Sequence, residues 1–162
     1  MKIENAKITW LASGLPYSTE FQDIYYSRDD AVAESQHVFL EANKLRQRWE
    51  QDSCIETFHI GELGFGSGLN FLQVMKLWQG LDKRPARLHY IAFEKHPLTI
   101  EELQKIHQHW TSLATQSAEL VEQYTDHSEG CHRIPLTNGI ILDVYYGDAF
   151  DQLNQRMTHA CP

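Results

Sequence analysis

Three carboxylates and three alternating glycines are the residues here whose types and spacing could do chemistry. Gly64, Gly66 and Gly68 follow directly on Gly61-Glu62-Leu63. Glycine accepts positive φ without penalty and lets backbone amides approach a bound molecule with no Cβ in the way. Glu62 stands at the mouth of that turn, where a carboxylate can meet a cationic group. Glu94 lies 30 residues beyond Gly64, and Asp148 comes later, in Gly147-Asp148-Ala149-Phe150.

Particular elements must position these groups. Thr57 to Leu63 is short, partly apolar and ends in an acid before a glycine, so it reads as a buried strand delivered into a tight turn. Directly after the turn, Phe71, Val74, Met75 and Trp78 fall at i, i+3, i+4 and i+7, the stripe of a helix packed on a sheet. Strand, glycine turn and helix N-terminus together make an open nucleotide-type pocket. The dinucleotide fingerprint would need Gly or Ala at 69, where Leu69 stands, and the Gly-Lys-Ser/Thr of a P-loop is missing. What remains is acid-x-G-x-G-x-G, the first motif of S-adenosylmethionine (SAM) methyltransferases. SAM has no pyrophosphate, and its cationic amino group could use Glu62. A nicotinamide dinucleotide and a turn that holds no ligand are the alternatives.

Arg87 to Glu94 reads as the second strand. A βαβ crossover of this length brings the end of strand two beside the end of strand one, where the Glu94 carboxylate can accept both ribose hydroxyls of an adenosine. NAD enzymes use the same acid, so Glu94 supports an adenosine without choosing the cofactor. Asp148, after the third strand, would face the same crevice and accept a hydrogen bond from the adenine amino group.

Length and composition bound the rest. A chain of 162 residues is one domain by length, and 42% hydrophobic with 22% charged residues is the make-up of a globular protein. No apolar run reaches membrane-spanning length and the N-terminus lacks a secretion signal, so the expected location is the cytoplasm with no membrane contact. Cys54, Cys131 and Cys161 form no C-x-x-C pair and read as reduced thiols. Nine histidines include no H-E-x-x-H and no i, i+4 pair, so no metal is expected. A net charge of −8 argues against strong nonspecific nucleic-acid binding by the isolated chain. Lys44, Arg46 and Arg48 are the local basic cluster, read first as a solvated helix face.

Residues 1–56 read as an N-terminal hairpin and helical extension to a core over 57–162, the whole treated as one domain. Ile8-Thr9-Trp10 and Ile24-Tyr25-Tyr26 are short strands about a turn at Gly14-Leu15-Pro16-Tyr17-Ser18. This segment either closes over the pocket or covers the core. From Asp29 to Gln51 the pattern is one helix with Val38, Ala42, Leu45 and Trp49 on its apolar face, broken at Gln51-Asp52-Ser53. Thr99-Ile100-Glu101-Glu102 is a capping box opening a helix to about Trp110, with Leu103, Ile106 and His107 packed. Ser112 to Tyr124 is a second helix and His127 to Gly130 a loop. His132–Leu136 and Gly139–Tyr146 flank Thr137-Asn138, and Asn138-Gly139 signals a hairpin. A last helix begins at Asp151.

Phe21-Gln22-Asp23-Ile24-Tyr25-Tyr26-Ser27, Val38 to Trp49, Gly61 to Leu72, Gly130-Cys131-His132-Arg133 and Leu142 to Asp148 together resemble the methyltransferase domain of the MnmC-type tRNA 5-methylaminomethyl-2-thiouridine biosynthesis family. The resemblance covers nearly the whole chain, and the stretch from Phe39 to Trp49 is no general methyltransferase motif. It implies a Rossmann-like class I SAM-dependent methyltransferase fold of α/β class with an incomplete sheet. It also implies SAM as methyl donor and, as acceptor, the aminomethyl group on the wobble uridine of certain tRNAs. On that basis Glu62, Gly64, Gly66, Ser67, Gly68, Asn70, Glu94, Lys95 and Asp148 are the expected cofactor-binding positions. A FAD-dependent oxidase, fused or separate, is the expected partner. The family's catalytic aspartate lies in an element after the Gly-Asp segment, so it is expected beyond Pro162 in a chain that reads as truncated. A catalytically inactive SAM-binding or interaction module and an NAD-dependent oxidoreductase are the competing readings.

Overall fold

The computed structural model describes residues 3–12, 15–20, 22–24, 31–52, 54–124 and 128–159, with backbone alone at 23 and 155–159. Gly14, Phe21, Tyr25–Asp30, Ser53, His127, Cys161 and Pro162, on which several sequence expectations fall, lie outside the described residues.

The chain opens with a small antiparallel sheet of β1 (Ile8–Trp10), β2 (Pro16–Ser18) and β3 (Asp23–Ile24), with β2 in the middle. Pro16–Ser18, expected within a turn, are thus a strand, and ahead of them the Leu11 amide donates to the Leu15 carbonyl at 2.9 Å. Pro16 is accommodated as the first residue of its strand, where a missing N–H is tolerated. The sheet leans on the segment after the second core strand: Ala6 N donates to Pro97 O at 3.0 Å, and Lys105 Nζ sits 3.7 Å from the centre of the Trp10 ring.

The single helix expected across Asp29–Gln51 is three pieces: α1 (Ala31–Ser35), a π-helical turn (Gln36–Glu41) and α2 (Leu45–Gln51). The break centres on Lys44, in left-handed backbone at φ 52°. A π turn and a left-handed residue shift the angular phase, so the expected stripe does not hold. Val38 is 59% exposed and Ala42 exposed, while Leu40, Leu45 and Trp49 are buried.

The core sheet comprises β4 (Thr57–Leu63), β5 (Arg87–Glu94), β6 (Gly130–Leu136) and β7 (Ile140–Tyr146) in the order β4-β5-β7-β6. β4, β5 and β7 are parallel and β6 is antiparallel to β7. Crossover elements are α3 (Leu69–Gln79) after β4, then α4 (Ile100–His107) and α5 (Ala114–Gln123) after β5. The chain leaves β7 into α6 (Ala149–His159). This is the expected Rossmann-like α/β arrangement. The capping box is formed, with Thr99 Oγ1 accepting from Glu102 N and Glu102 Oε2 from Thr99 N. Leu136 pairs with Ile140, so the hairpin loop is Thr137–Gly139, one residue longer than expected, with Asn138 and Gly139 both at positive φ.

One face of the sheet forms the core. Phe58, Ile60, Leu88, Tyr90, Leu142 and Val144 are buried in one cluster with residues of α2 and α3, where Trp49 meets Phe58 and Trp78 edge-on and Phe71 meets Tyr90 at 5.0 Å. Helix α3 is buried beyond its predicted stripe, with Leu72 and Gln73 buried as well. β4, expected to be buried outright, is buried on alternate residues only, and Leu63 is 74% exposed. Side chains alternate across a strand, and the packed helices cover one side of β4. On the opposite face Asp143 is fully buried beneath its partners, accepting from Arg133 Nε and Nη2 and from the His89 ring, each at 2.8 Å.

Candidate functional site

Register brings the three parallel strands to a common end. Leu63 pairs with Phe93 and Glu94 with Tyr146, so the turns after β4, β5 and β7 emerge side by side. Backbone hydrogen bonds tie them: Gly64 N and Phe65 N both donate to Phe93 O, and Gly147 N donates to Glu94 O at 2.9 Å. A cleft of about 550 Å³ opens there, lined by Gly64, Glu94, Lys95, His96, Asp148 and Phe150 among others.

Glu94 is the junction of this site. Its Oε2 accepts from Gly66 N and its Oε1 from His96 N, both at 2.7 Å. Each carboxylate oxygen has two acceptor directions, so both retain capacity toward a further donor. Asp148 stands across the cleft, exposed, with its Oδ1 accepting from Phe150 N and its Oδ2 3.4 Å from Lys95 Nζ. The Phe150 amide first, then Lys95, hold its carboxyl below the ordinary carboxylate range.

The glycines divide into two kinds. At Gly64 and Gly66, with φ of 83° and 54°, a Cβ would meet nothing within 4 Å, so the turn presents bare backbone to open space. Gly68 also has positive φ, but a Cβ there would fall 2.9 Å from the Phe65 ring. Its lack of a side chain serves packing at the start of α3.

Glu62 takes a different position. Its side chain lies on the core face, with Asn70 Nδ2 donating to Oε1 at 2.7 Å and the Tyr90 hydroxyl to Oε2 at 2.8 Å. Asn70 Oδ1 in turn accepts from Ser35 Oγ at 2.6 Å, linking α1 to the turn. Burial pushes the Glu62 carboxyl up to about 7 against the pull of those hydrogen bonds, and the Glu94 charge adds to the rise. Glu62 and Asn70 are thus brought to each other, beneath the turn, while Gly64, Glu94, Lys95 and Asp148 are brought to the cleft.

Ser67 is buried, and its carbonyl is held by a residue of α4. His107 Nε2 lies 2.8 Å from Ser67 O and its Nδ1 2.7 Å from Ser117 Oγ. A carbonyl can only accept, so Nε2 carries the proton and, in the neutral ring, Nδ1 accepts from the serine hydroxyl. Burial holds His107 below its ordinary pKa, which keeps that neutral ring in place.

Among the described residues no group of three or more His, Cys, Asp or Glu is placed to hold a metal ion, and no helix is long and apolar enough to cross a membrane.

No protein-family model matches the chain. The tRNA 5-methylaminomethyl-2-thiouridine biosynthesis bifunctional protein MnmC of Aeromonas hydrophila is 42% identical over 159 residues, covering 94% of this chain and 24% of that protein. The protein of the same name from Saccharophagus degradans is 43% identical over 155 residues, covering 94% and 22%. Nearly the whole chain is thus similar to one segment of these MnmC proteins. It spans about a quarter of the length of the curated MnmC relatives it matches. Among solved structures, the crystal structure of MNMC2 from Aquifex aeolicus matches 94% of this chain and 46% of that one with a TM-score of 0.59 at 21% identity, a likeness of fold.

Sequence reasoning missed several residues of the site. His96 and Phe150 line the cleft, Phe150 with 71% of its surface exposed, yet each stands in a stretch read for its acid alone. Tyr90 and Ser35 complete the Glu62 network from strands and helices distant in sequence. Phe150 did carry a signal, an aromatic two residues after a strand-end acid. Tyr90 carried none, because an apolar-strand tyrosine looks the same whether its hydroxyl meets a carboxylate or water.

Proposed function

We propose that this chain is the SAM-binding part of a cytoplasmic tRNA methyltransferase that methylates the aminomethyl group of a wobble uridine, converting 5-aminomethyl-2-thiouridine to its 5-methylaminomethyl form. The observation that carries this reading is the convergence of Gly64, at the start of the bare turn, with Glu94 and Asp148 on one cleft, in a chain similar to MnmC proteins. The site fits the donor. Glu94 has acceptor capacity for vicinal hydroxyls, Asp148 is an exposed acceptor for an amino group, and the turn leaves room for a close approach. When bound, SAM would supply an electrophilic methyl on a sulfonium, open to in-line attack by the neutral amine with the C–S bond breaking and S-adenosylhomocysteine leaving.

In this reading the chain's own work is to hold the donor. Glu94 receives the ribose hydroxyls while keeping the first turn closed through Gly66. Asp148 receives the adenine amino group, with Lys95 steadying its carboxylate. Glu62 serves the methionine end through Asn70, since its own oxygens are sealed beneath the turn. The acceptor amine, like lysine, is mostly protonated at neutral pH, with a pKa of about 10.4, so the intact enzyme must favour its neutral form and take its proton. Anticodon-loop bases are single-stranded, so presenting one costs little unpairing. The expected partner in the same modification is a FAD-dependent oxidase, fused or separate.

Calorimetry with SAM, S-adenosylhomocysteine and NAD tests the donor assignment. Binding of the first two and not of NAD is expected, and binding of NAD alone would overturn it. Transfer of labelled methyl from SAM to tRNA lacking the terminal methyl tests the acceptor. In the intact protein Glu94→Ala should abolish that transfer.

A further inference from the structure

Gln152, on the first turns of α6, is a buried polar side chain to which the site as described gives no task. It is 3% exposed, and its Nε2 donor has no hydrogen-bond partner. A buried N–H left unpaired loses its water partner without replacement, so an orphan of this kind marks a place where something else completes the bond. Its neighbours show where. A Cβ built on Gly147 would fall 3.0 Å from Gln152 Nε2 and 3.6 Å from its Cδ, with Gly147 at φ 129°. Gly147 lines the cleft together with Asp148, and Gln152 N donates to Asp148 O at 3.0 Å, fixing the helix turn to the acid. The amide of Gln152 thus lies directly against a glycine that lines the cleft, with no side chain at residue 147 to crowd it.

We propose that Gln152 is a specificity-determining residue that works with Asp148 to read the base of the bound donor. This inference rests on the donor reading above. The edge of adenine presents a donor, its exocyclic amine, beside an acceptor, the adjacent ring nitrogen. Asp148 offers an acceptor and Gln152 offers an uncommitted N–H, which is the complementary pair. Hypoxanthine presents the reverse pattern on the same edge, a carbonyl beside a ring N–H, and would set acceptor against acceptor and donor against donor. The pair therefore selects an adenosyl ligand against an inosyl one of the same size.

The test is calorimetry with S-adenosylhomocysteine and its analogue bearing hypoxanthine in place of adenine. Wild type should bind the adenine ligand at least about tenfold more tightly. Gln152→Leu should weaken the adenine ligand by about tenfold and leave the hypoxanthine ligand no weaker, so the preference shrinks. Gln152→Glu, which keeps the shape and replaces the donor with an acceptor, should move the preference further toward hypoxanthine. Equal weakening of both ligands, or an unchanged preference in both variants, would overturn the inference and leave Gln152 a packing residue. If wild type binds neither ligand, it is the donor reading itself that fails. A circular-dichroism melt of each variant shows whether it is folded, and Gln152→Glu carries the test should Gln152→Leu not fold.

Discussion

The Glu94 carboxylate holds the Gly66 amide at 2.7 Å, so the acid at the end of one strand closes the turn at the end of its neighbour. A second bond, from His96 N, fixes the other oxygen. The group assigned to the ribose is therefore part of the frame before any ligand arrives, and preorganisation of this kind reduces the ordering that binding would require.

Removing that carboxylate takes away a ligand acceptor and frees two backbone donors together. Glu94→Ala should weaken SAM binding by more than about tenfold by calorimetry, since hydrogen bonds to a charged group contribute about 1.5–3 kcal/mol each. Glu101→Ala, which removes an exposed acid from α4, should leave binding unchanged. Equal effects would refute the ribose assignment.

Glu62 makes stability depend on pH. Its folded-state value of about 7 lies above the ordinary 4.5, so between those values the folded chain binds a proton that the unfolded chain has released. Its contribution is full below pH 4.5 and is lost as pH rises through 7. Urea unfolding across that range should show wild type losing a few kcal/mol relative to Glu62→Gln, in the direction of lower stability at higher pH. A difference that stays flat with pH would show that the buried carboxyl is not carrying the proton.

His107 bridges α4 to the glycine turn through Ser67 O and to α5 through Ser117. His107→Leu leaves a buried carbonyl without its donor and should cost about 1–3 kcal/mol in denaturant unfolding, whereas His107→Gln keeps an N–H and should recover part of it. With the folded value depressed below 6.5, the histidine's contribution is present above that pH and is lost as pH falls through the depressed value. The Leu variant should lose this acid sensitivity.

Gly139 and Gly61 should respond in opposite ways to alanine. At Gly139, φ is 74° and a Cβ would fall 2.7 Å from Ala86 O, a backbone atom that cannot turn aside. Gly139→Ala should lower stability by about 1–3 kcal/mol and loosen the β6–β7 hairpin. Gly61 has no positive φ and nothing within 4 Å, so Gly61→Ala should be neutral or slightly stabilising in a thermal melt.

Local rules alone determined much of this protein: the strand-turn-helix at Thr57–Gln79, the capping box at Thr99, the paired arms about Asn138-Gly139, and the acids at 94 and 148 as strand ends. Each is encoded over a few residues, by glycine at positive φ, a hydroxyl three residues before a glutamate, or a side-chain period. What only the tertiary structure decided is where a side chain goes once its backbone is placed. Glu62 and Glu94 both stand at strand ends beside the same turn, yet the pleat sends Glu62 into the core to Asn70 and Tyr90 and leaves Glu94 at the cleft. The broken helix at Lys44, the half-open β4 and the unpaired amide of Gln152 have the same origin. Each is set by contacts between segments far apart in the chain, and hydrophobic periodicity within one segment carries no record of them.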